Sequence, residues 1–234
     1  MELYQECIGQ ITSLLKSCDL KKLDIANVSW KDGGRNQILF QEDTAYELGG
    51  GDHPAVSLIA YRGSRGMQGD GVFLAGPNLD AIHADCAYAR IAIVGLNEEL
   101  CGSGSELYQN LRRVDYCRYQ VNPDGFMMQI SVRKLREQVR VSKDALDQGI
   151  GFAAIGKQFI DAYHRVPCVA HVQMIFVTDD SFDYAKLQKI AMETDGITKA
   201  LDHLTGTMPT DCSSCGLQKI CGEVQEMLNH LGEH

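Results

Sequence analysis

The chain has 234 residues, enough for one large domain or for one domain with a small appendage. Its 22 Lys and Arg against 31 Asp and Glu give a net charge of −9, which excludes general attraction to nucleic-acid backbones. A hydrophobic fraction of 44% and a charged fraction of 23% exclude wholesale disorder, and no apolar run approaches the roughly 18 residues needed to cross a bilayer.

The N-terminal MELYQECIGQ is acidic and lacks the basic-then-apolar order of a secretory signal, so a cytoplasmic location and no membrane partner are expected. In that compartment thiols stay reduced, and an odd count of nine cysteines is not a disulfide framework.

Residues 1–25 carry Leu3, Cys7, Ile8, Ile11, Leu14, Leu15 and Cys18 at helical spacing, with acidic residues early and Lys16 late, which predicts an amphipathic helix. Residues 31–36 read as a turn, and Ile38-Leu39-Phe40 as the start of the next element. Glycines then bracket two strand-like runs, Ala55–Tyr61 and Gly71–Leu74. Further strands are expected at Arg90–Val94, Phe126–Val132 and Val169–Val177, the last β-branched and bounded by Pro167 and Asp179-Asp180. Helical patterns fall at Glu98–Arg113, from Ser142, at Gly156–His164, at Phe182–Thr194 and at Val224–Leu231. Strands interleaved with helices predict an α/β fold, a layered sheet-and-helix domain followed by a C-terminal cysteine loop and short helix. The expected organisation is an N-terminal helix and linker over 1–30, the α/β domain over 31–207 and a cysteine-rich metal-binding tail over 208–234.

The sharpest chemical signal is the C-x2-C-x5-C spacing of Cys212, Cys215 and Cys221. A two-residue gap lets two thiolates fold around one centre, and a third at the start of a helix gains from the positive end of its dipole. Three close thiolates suit an iron–sulfur cluster, expected as a [4Fe–4S] centre with its fourth ligand from elsewhere. Zinc is the alternative, with Cys86, Cys101, Cys117, Cys168 or His203 open as the last donor. Cys86, Cys117 and Cys168 read as small core residues; Cys101, flanked by Gly102, Ser103 and Gly104, has the room to approach a cluster.

Gly151–Gln158 imitates a phosphate-binding loop, but Gln158 stands where a magnesium-holding hydroxyl is needed. Arg112, Arg113, Arg118, Arg133, Lys134, Arg136, Arg140 and Lys143 crowd into one segment of an otherwise acidic chain. The candidate cofactor-binding set drawn from it is Arg112, Arg113, Arg133, Arg136 and Arg140. These would seat the phosphates of coenzyme A or dock an acidic redox protein, unless they form only a solvated face. The histidines show no catalytic partner spacing, no catalytic residue is assigned, and a homo-oligomer is left open.

Four stretches, ELGGGDHPAVSLIAYRG, DGVFLAGPNLDAI, LREQVRVSKDALDQGIGFAAIGKQFI and VQMIFVTDD, carry a family resemblance. They resemble the central domain of the acetyl-CoA synthase family, the β subunit of the CO dehydrogenase/acetyl-CoA synthase complex. The similarity runs from Tyr46 to Cys221 and is strongest at Arg140–Ala145, so that Cys212, Cys215 and Cys221 fall where the family begins its iron–sulfur ligands. The resemblance implies an iron–sulfur protein of one-carbon or corrinoid metabolism in an anaerobe, in electron transfer or as an accessory subunit. A corrinoid or methyltransferase protein is then a further expected partner. The departures are a shorter gap before the third cysteine and the lack of a Cys-Gly-Cys nickel motif after Cys221, which predicts no carbonyl chemistry by this chain alone. The alternatives are a CO-methylating acetyl-CoA synthase component completed by a partner chain, an acyltransferase or oxidoreductase, and a zinc-stabilised structural or regulatory module.

Overall fold

The computed structural model describes residues 2–131, 134–205 and 218–231. In chain order the elements are α1 (Gln5–Leu15), β1 (Leu20–Leu23), β2 (Ala45–Leu48), β3 (Ala55–Gly63), β4 (Gly71–Ala75) and β5 (Tyr88–Leu96). There follow α2 (Glu98–Cys101), α3 (Ser105–Cys117), β6 (Phe126–Ser131), β7 (Arg136–Ser142) and α4 (Lys143–Asp147). The chain continues with α5 (Phe152–Tyr163), β8 (Val169–Val177), α6 (Tyr184–Thr205) and α7 (Gln218–Leu231).

Two sheets carry the fold. A five-stranded mixed sheet runs β1-β4-β8-β5-β3, and an antiparallel three-stranded sheet runs β2-β7-β6. All nine residues of β5 are buried, because it lies between β3 on one side and β8 on the other and is covered on both faces. Its continuous apolar run is what a strand sandwiched between layers requires. Helix α5 packs on β4 and β8, α6 packs on β3 and on α1, α3 and α7, and β7 leans against β3 and β5. The layered α/β expectation is met.

The approach of α5 to the sheet depends on a missing side chain. A Cβ at Gly156 would lie 2.5 Å from Cγ2 of Val72 on β4 and 3.2 Å from Cε2 of Phe176 on β8. Phe152, Ile155 and Phe159 of the same helix are buried beside it, so the apparent phosphate loop is a core-facing helix whose glycine admits the strand.

Several local expectations are corrected. The first helix ends at Leu15, where Ser17 and Cys18 turn the chain, and Leu20–Leu23 pairs with β4 as an edge strand. The Ile38–Phe40 run forms no strand: its backbone is taken by side chains, with Leu39 N donating to Met127 Sδ and Leu39 O accepting from Arg140. Ile38 and Phe40 are left 72% and 71% exposed. The helix read over Glu98–Arg113 is broken into α2 and α3 by Gly102 and Gly104, both at positive φ. The last helix begins at Gln218, six residues before Val224.

Candidate functional site

The structure divides the five arginines. Arg136 and Arg140 lie on one side of β7 with Gln138 between them, and both are spent within the fold. One Nη of Arg136 donates to the carbonyls of Gly49 (2.7 Å), His53 (3.2 Å) and Gly51 (3.3 Å), gathering the glycine-rich turn after β2. Arg140 Nε donates to Glu47 Oε1 at 2.5 Å and its Nη1 to Leu39 O at 3.1 Å. A Cβ at Gly50 would meet that Glu47 carboxylate at 2.0 Å, so the glycine leaves the space the ion pair occupies. Arg133 lies outside the described residues.

Arg112 and Arg113 sit on α3, on a different surface. With Arg165, Tyr108 and Tyr116 they line an open cavity of about 740 Å³. Arg113 Nη1 donates to Asn110 Oδ1 (3.3 Å) and Arg165 Nη1 to Gln120 Oε1 (3.4 Å), amide partners that orient the guanidiniums without cancelling their charge. Arg112 makes a 3.4 Å contact with Asp115, exposed on its own side and screened by water. Tyr116 stands 57% exposed beside them, and its ring lies 5.7 Å from that of Tyr119. The result is a positive, aromatic face on an acidic protein, the composition that protein-binding surfaces favour.

Eight of the nine cysteines fall into three groups. Cys212 and Cys215 lie outside the described residues, whereas Cys221 stands in the first turn of α7, half-buried, on a helix that packs against α6 and is anchored by buried Val224. Among the described residues no group of three His, Cys, Asp or Glu is arranged to hold a metal ion. Burial raises the thiols of Cys7 and Cys117, and pushes Cys86 up to about 12 with help from Asp180 and Asp85. These are protonated core side chains. Cys101 and Cys168 differ, because each acts on the other's ionisation: the Cys101 thiol is pushed up and that of Cys168 down.

Cys101 also lines a cavity of about 940 Å³, bounded by Leu3, Arg62, Arg65, Ser103, Leu204 and Leu228. No ion pair holds Arg62 or Arg65 among the described residues. The turn Gly102–Gly104 closes one side of this space, and the ends of α6 and α7 close another.

One polar group was not legible from spacing. Arg90 on β5 and Glu137 on β7 are 1% and 0% exposed and form a two-pronged ion pair, Nε to Oε1 at 2.6 Å and Nη2 to Oε2. Ser57 of β3 accepts from Arg90 Nη2 (2.9 Å) and donates to Glu137 Oε2 (3.2 Å), Tyr163 of α5 accepts from Nη1 (3.5 Å), and the Phe159 ring lies 4.5 Å from the guanidinium carbon. Burial alone would favour a neutral arginine, but Glu137 overrides it and raises the pKa. Sealed from solvent, this network joins the two sheets and α5; it has no opening for a substrate. Glu137, Val139 and Val141 alternate as the buried side of β7.

Of the histidines, His164 pairs with Asp70 at 2.9 Å with both side chains one-third exposed, and His53 contributes only its carbonyl to Arg136. Neither stands beside a nucleophile. No helix among the described residues is long and apolar enough to cross a membrane.

The family model of the CO dehydrogenase/acetyl-CoA synthase complex beta subunit matches residues 35–182, more than half of the chain. That span takes in β2 to β8, the arginine-bearing α3 and the Arg90–Glu137 network, and it stops before Cys212, Cys215 and Cys221. No curated protein matches the chain.

Proposed function

The chain belongs to the CO dehydrogenase/acetyl-CoA synthase complex beta subunit family, and from that premise we propose that it is an iron–sulfur accessory subunit passing electrons in one-carbon metabolism. The observation that carries this reading is the C-x2-C-x5-C run whose last member, Cys221, opens the amphipathic α7. The donor set fits a cluster: three thiolates are soft ligands matched to iron and sulfide, and a helix N-terminus beside the third favours its ionised form. Cys212, Cys215 and Cys221 would hold the cluster, which when bound supplies a one-electron store.

The chain's own contribution is to anchor and to dock. Packing of α7 on α6 ties Cys221 to the α/β domain. The Arg112, Arg113 and Arg165 face would receive the acidic redox or corrinoid protein, because long-range attraction to a positive patch raises the encounter rate. Coenzyme A is the competing anion for the same arginines.

The test is kinetic. Protein isolated without oxygen and reduced with dithionite is mixed with an oxidised acidic ferredoxin at low and high salt. Electron transfer that slows with salt and slows again in Arg112→Glu/Arg113→Glu supports the reading. Transfer indifferent to both, or competition by coenzyme A at micromolar concentration, moves the face to a different ligand.

A further inference from the structure

We propose that β6 is a self-association edge: two copies of the chain pair antiparallel through Met128 and Ile130, joining their three-stranded sheets into one. Pairing of this kind needs none of Cys212, Cys215 and Cys221, so it stands apart from the cluster reading.

Strand β6 ends the sheet order β2-β7-β6, so one of its sides has no strand beside it. Ser142 N donates to Gly125 O at 2.9 Å, which fixes the phase of the ladder between β6 and β7. Alternation from that bond turns the backbone of Met127, Gln129 and Ser131 toward β7, and that of Phe126, Met128 and Ile130 outward. Phe126 is answered within the chain. Its N donates to Pro123 O at 3.0 Å, and its carbonyl accepts from Gln37 Nε2 at 3.3 Å. No hydrogen bond among the described residues takes the outward N–H and C=O of Met128 or Ile130.

Two other strand edges are protected. The outer side of β2 bonds to the segment at Asp85 and Cys86, with Glu47 N donating to Asp85 Oδ1 at 2.7 Å and Cys86 N to Glu47 O at 3.1 Å. The edge strand β1 has four residues and carries Lys21 and Lys22, the short and charged form that discourages pairing. Strand β6 has neither protection: Phe-Met-Met-Gln-Ile-Ser is longer and has no charged side chain. Ile38 and Phe40, 72% and 71% exposed, flank the Leu39 whose N meets Met127 Sδ, so uncovered apolar area lies beside the same strand.

Two features select a second copy over a foreign strand. An antiparallel edge is complementary to itself under a two-fold axis. With that axis at Gln129, Met128 of each copy exchanges both its bonds with Ile130 of the other. The ends of β6 also differ in charge. At its start, Asp124 and Asp144 border one recess and hold a single ion pair, Lys31 with Asp124. At its end, Lys134 is exposed with no ion pair among the described residues, and Arg136 is held by carbonyls that leave its charge uncancelled. The two-fold axis sets the acidic start of each strand beside the basic end of the other. Elsewhere a net charge of −9 pushes copies apart, so the uncharged strand is where they can meet. Each copy spends its one open β6 edge in the pairing, which closes the assembly at two.

The test uses the full chain in sedimentation equilibrium over a range of micromolar loadings, where wild type is expected as a dimer. Gln129→Lys sets two ammonium groups against each other across the axis, and Met128→Pro removes an outward donor without touching the β7 ladder. Both should sediment as monomers at loadings where wild type is dimeric, with unchanged circular dichroism. Gln129 is exposed, so its variant keeps the fold even where the proline does not. Cross-linking reads the register. Gln129→Cys should form a disulfide between copies through position 129, because directly opposed residues of a non-hydrogen-bonded pair lie within disulfide reach. Ser131→Cys, which faces Met127 of the other copy, should not. Wild type monomeric at every loading would leave the edge to a foreign strand and overturn the proposal. So would a dimer that the folded variants leave intact, or linkage through position 131 as ready as through 129.

Discussion

Arg90 and Glu137 lie on strands of different sheets, yet their side chains meet in a bidentate ion pair with almost no exposure to water. Desolvating two charges is expensive, and it is tolerated here because Ser57, Tyr88 and Tyr163 complete the hydrogen bonds around them. Such a pair is a poor source of net stability but a strict one for geometry: only one packing of β7 on β5 satisfies it.

Breaking it should therefore be worse than removing it. Glu137→Gln leaves a buried guanidinium without its counter-charge and is expected to lose about 3–5 kcal/mol in urea unfolding. The double variant Arg90→Met/Glu137→Leu should recover part of that loss. A Glu137→Gln protein as stable as wild type would show that the pair does not join the sheets.

Gly156 offers a steric test. With a Cβ placed 2.5 Å from Val72, Gly156→Ala should cost about 1–3 kcal/mol through overpacking, despite the higher helix propensity of alanine. Adding Val72→Ala makes room and should restore most of the stability. A neutral Gly156→Ala would mean that α5 has slack against the sheet.

The parts of this molecule that could be read from its residues are those where one period dominates. Val169–Val177 and the apolar run after Arg90 announced themselves as central strands because a strand covered on both faces is mostly apolar. Strand β7 did not, since its buried side carries Glu137 and its other side carries Arg136, Gln138 and Arg140; the run looked like a basic patch. The arginines could be counted but not sorted, because spacing along the chain does not say that Arg136 and Arg140 are consumed by the carbonyls of the glycine turn and by Glu47.

That sorting predicts different phenotypes for similar substitutions. Arg136→Ala removes the donor shared by three loop carbonyls, and it should lower thermal stability measurably. Arg112→Ala, on an exposed helix face, should leave the melting temperature within about a degree of wild type, as surface changes usually cost under about 0.5 kcal/mol. Equal destabilisation by both would contradict the assignment of one to the fold and the other to the surface.

Alkaline pH should act on stability with a definite sign. Burial raises the phenols of Tyr61, Tyr88 and Tyr163 above the ordinary value of 10.0, and Cys86 from 9.0 to about 12. The folded chain holds these protons after the unfolded chain has released them, so the stabilisation is complete below pH 9 and is lost as pH rises beyond it. The urea midpoint is expected to fall steadily above pH 9, and less steeply in Cys86→Ala. The tyrosinate absorbance of the buried phenols should appear together with unfolding. A flat midpoint from pH 8 to 11 would contradict the burial of these groups.

Cys212, Cys215 and Cys221 lie beyond the family-matched residues 35–182, and the iron and acid-labile sulfide content of protein purified without oxygen tells whether they hold a cluster. Iron and sulfide are expected in equal amounts in wild type, and neither in Cys212→Ser, Cys215→Ser or Cys221→Ser, because a hydroxyl is a far poorer ligand for iron than a thiolate. Stoichiometric zinc with no iron or sulfide in wild-type protein would contradict it.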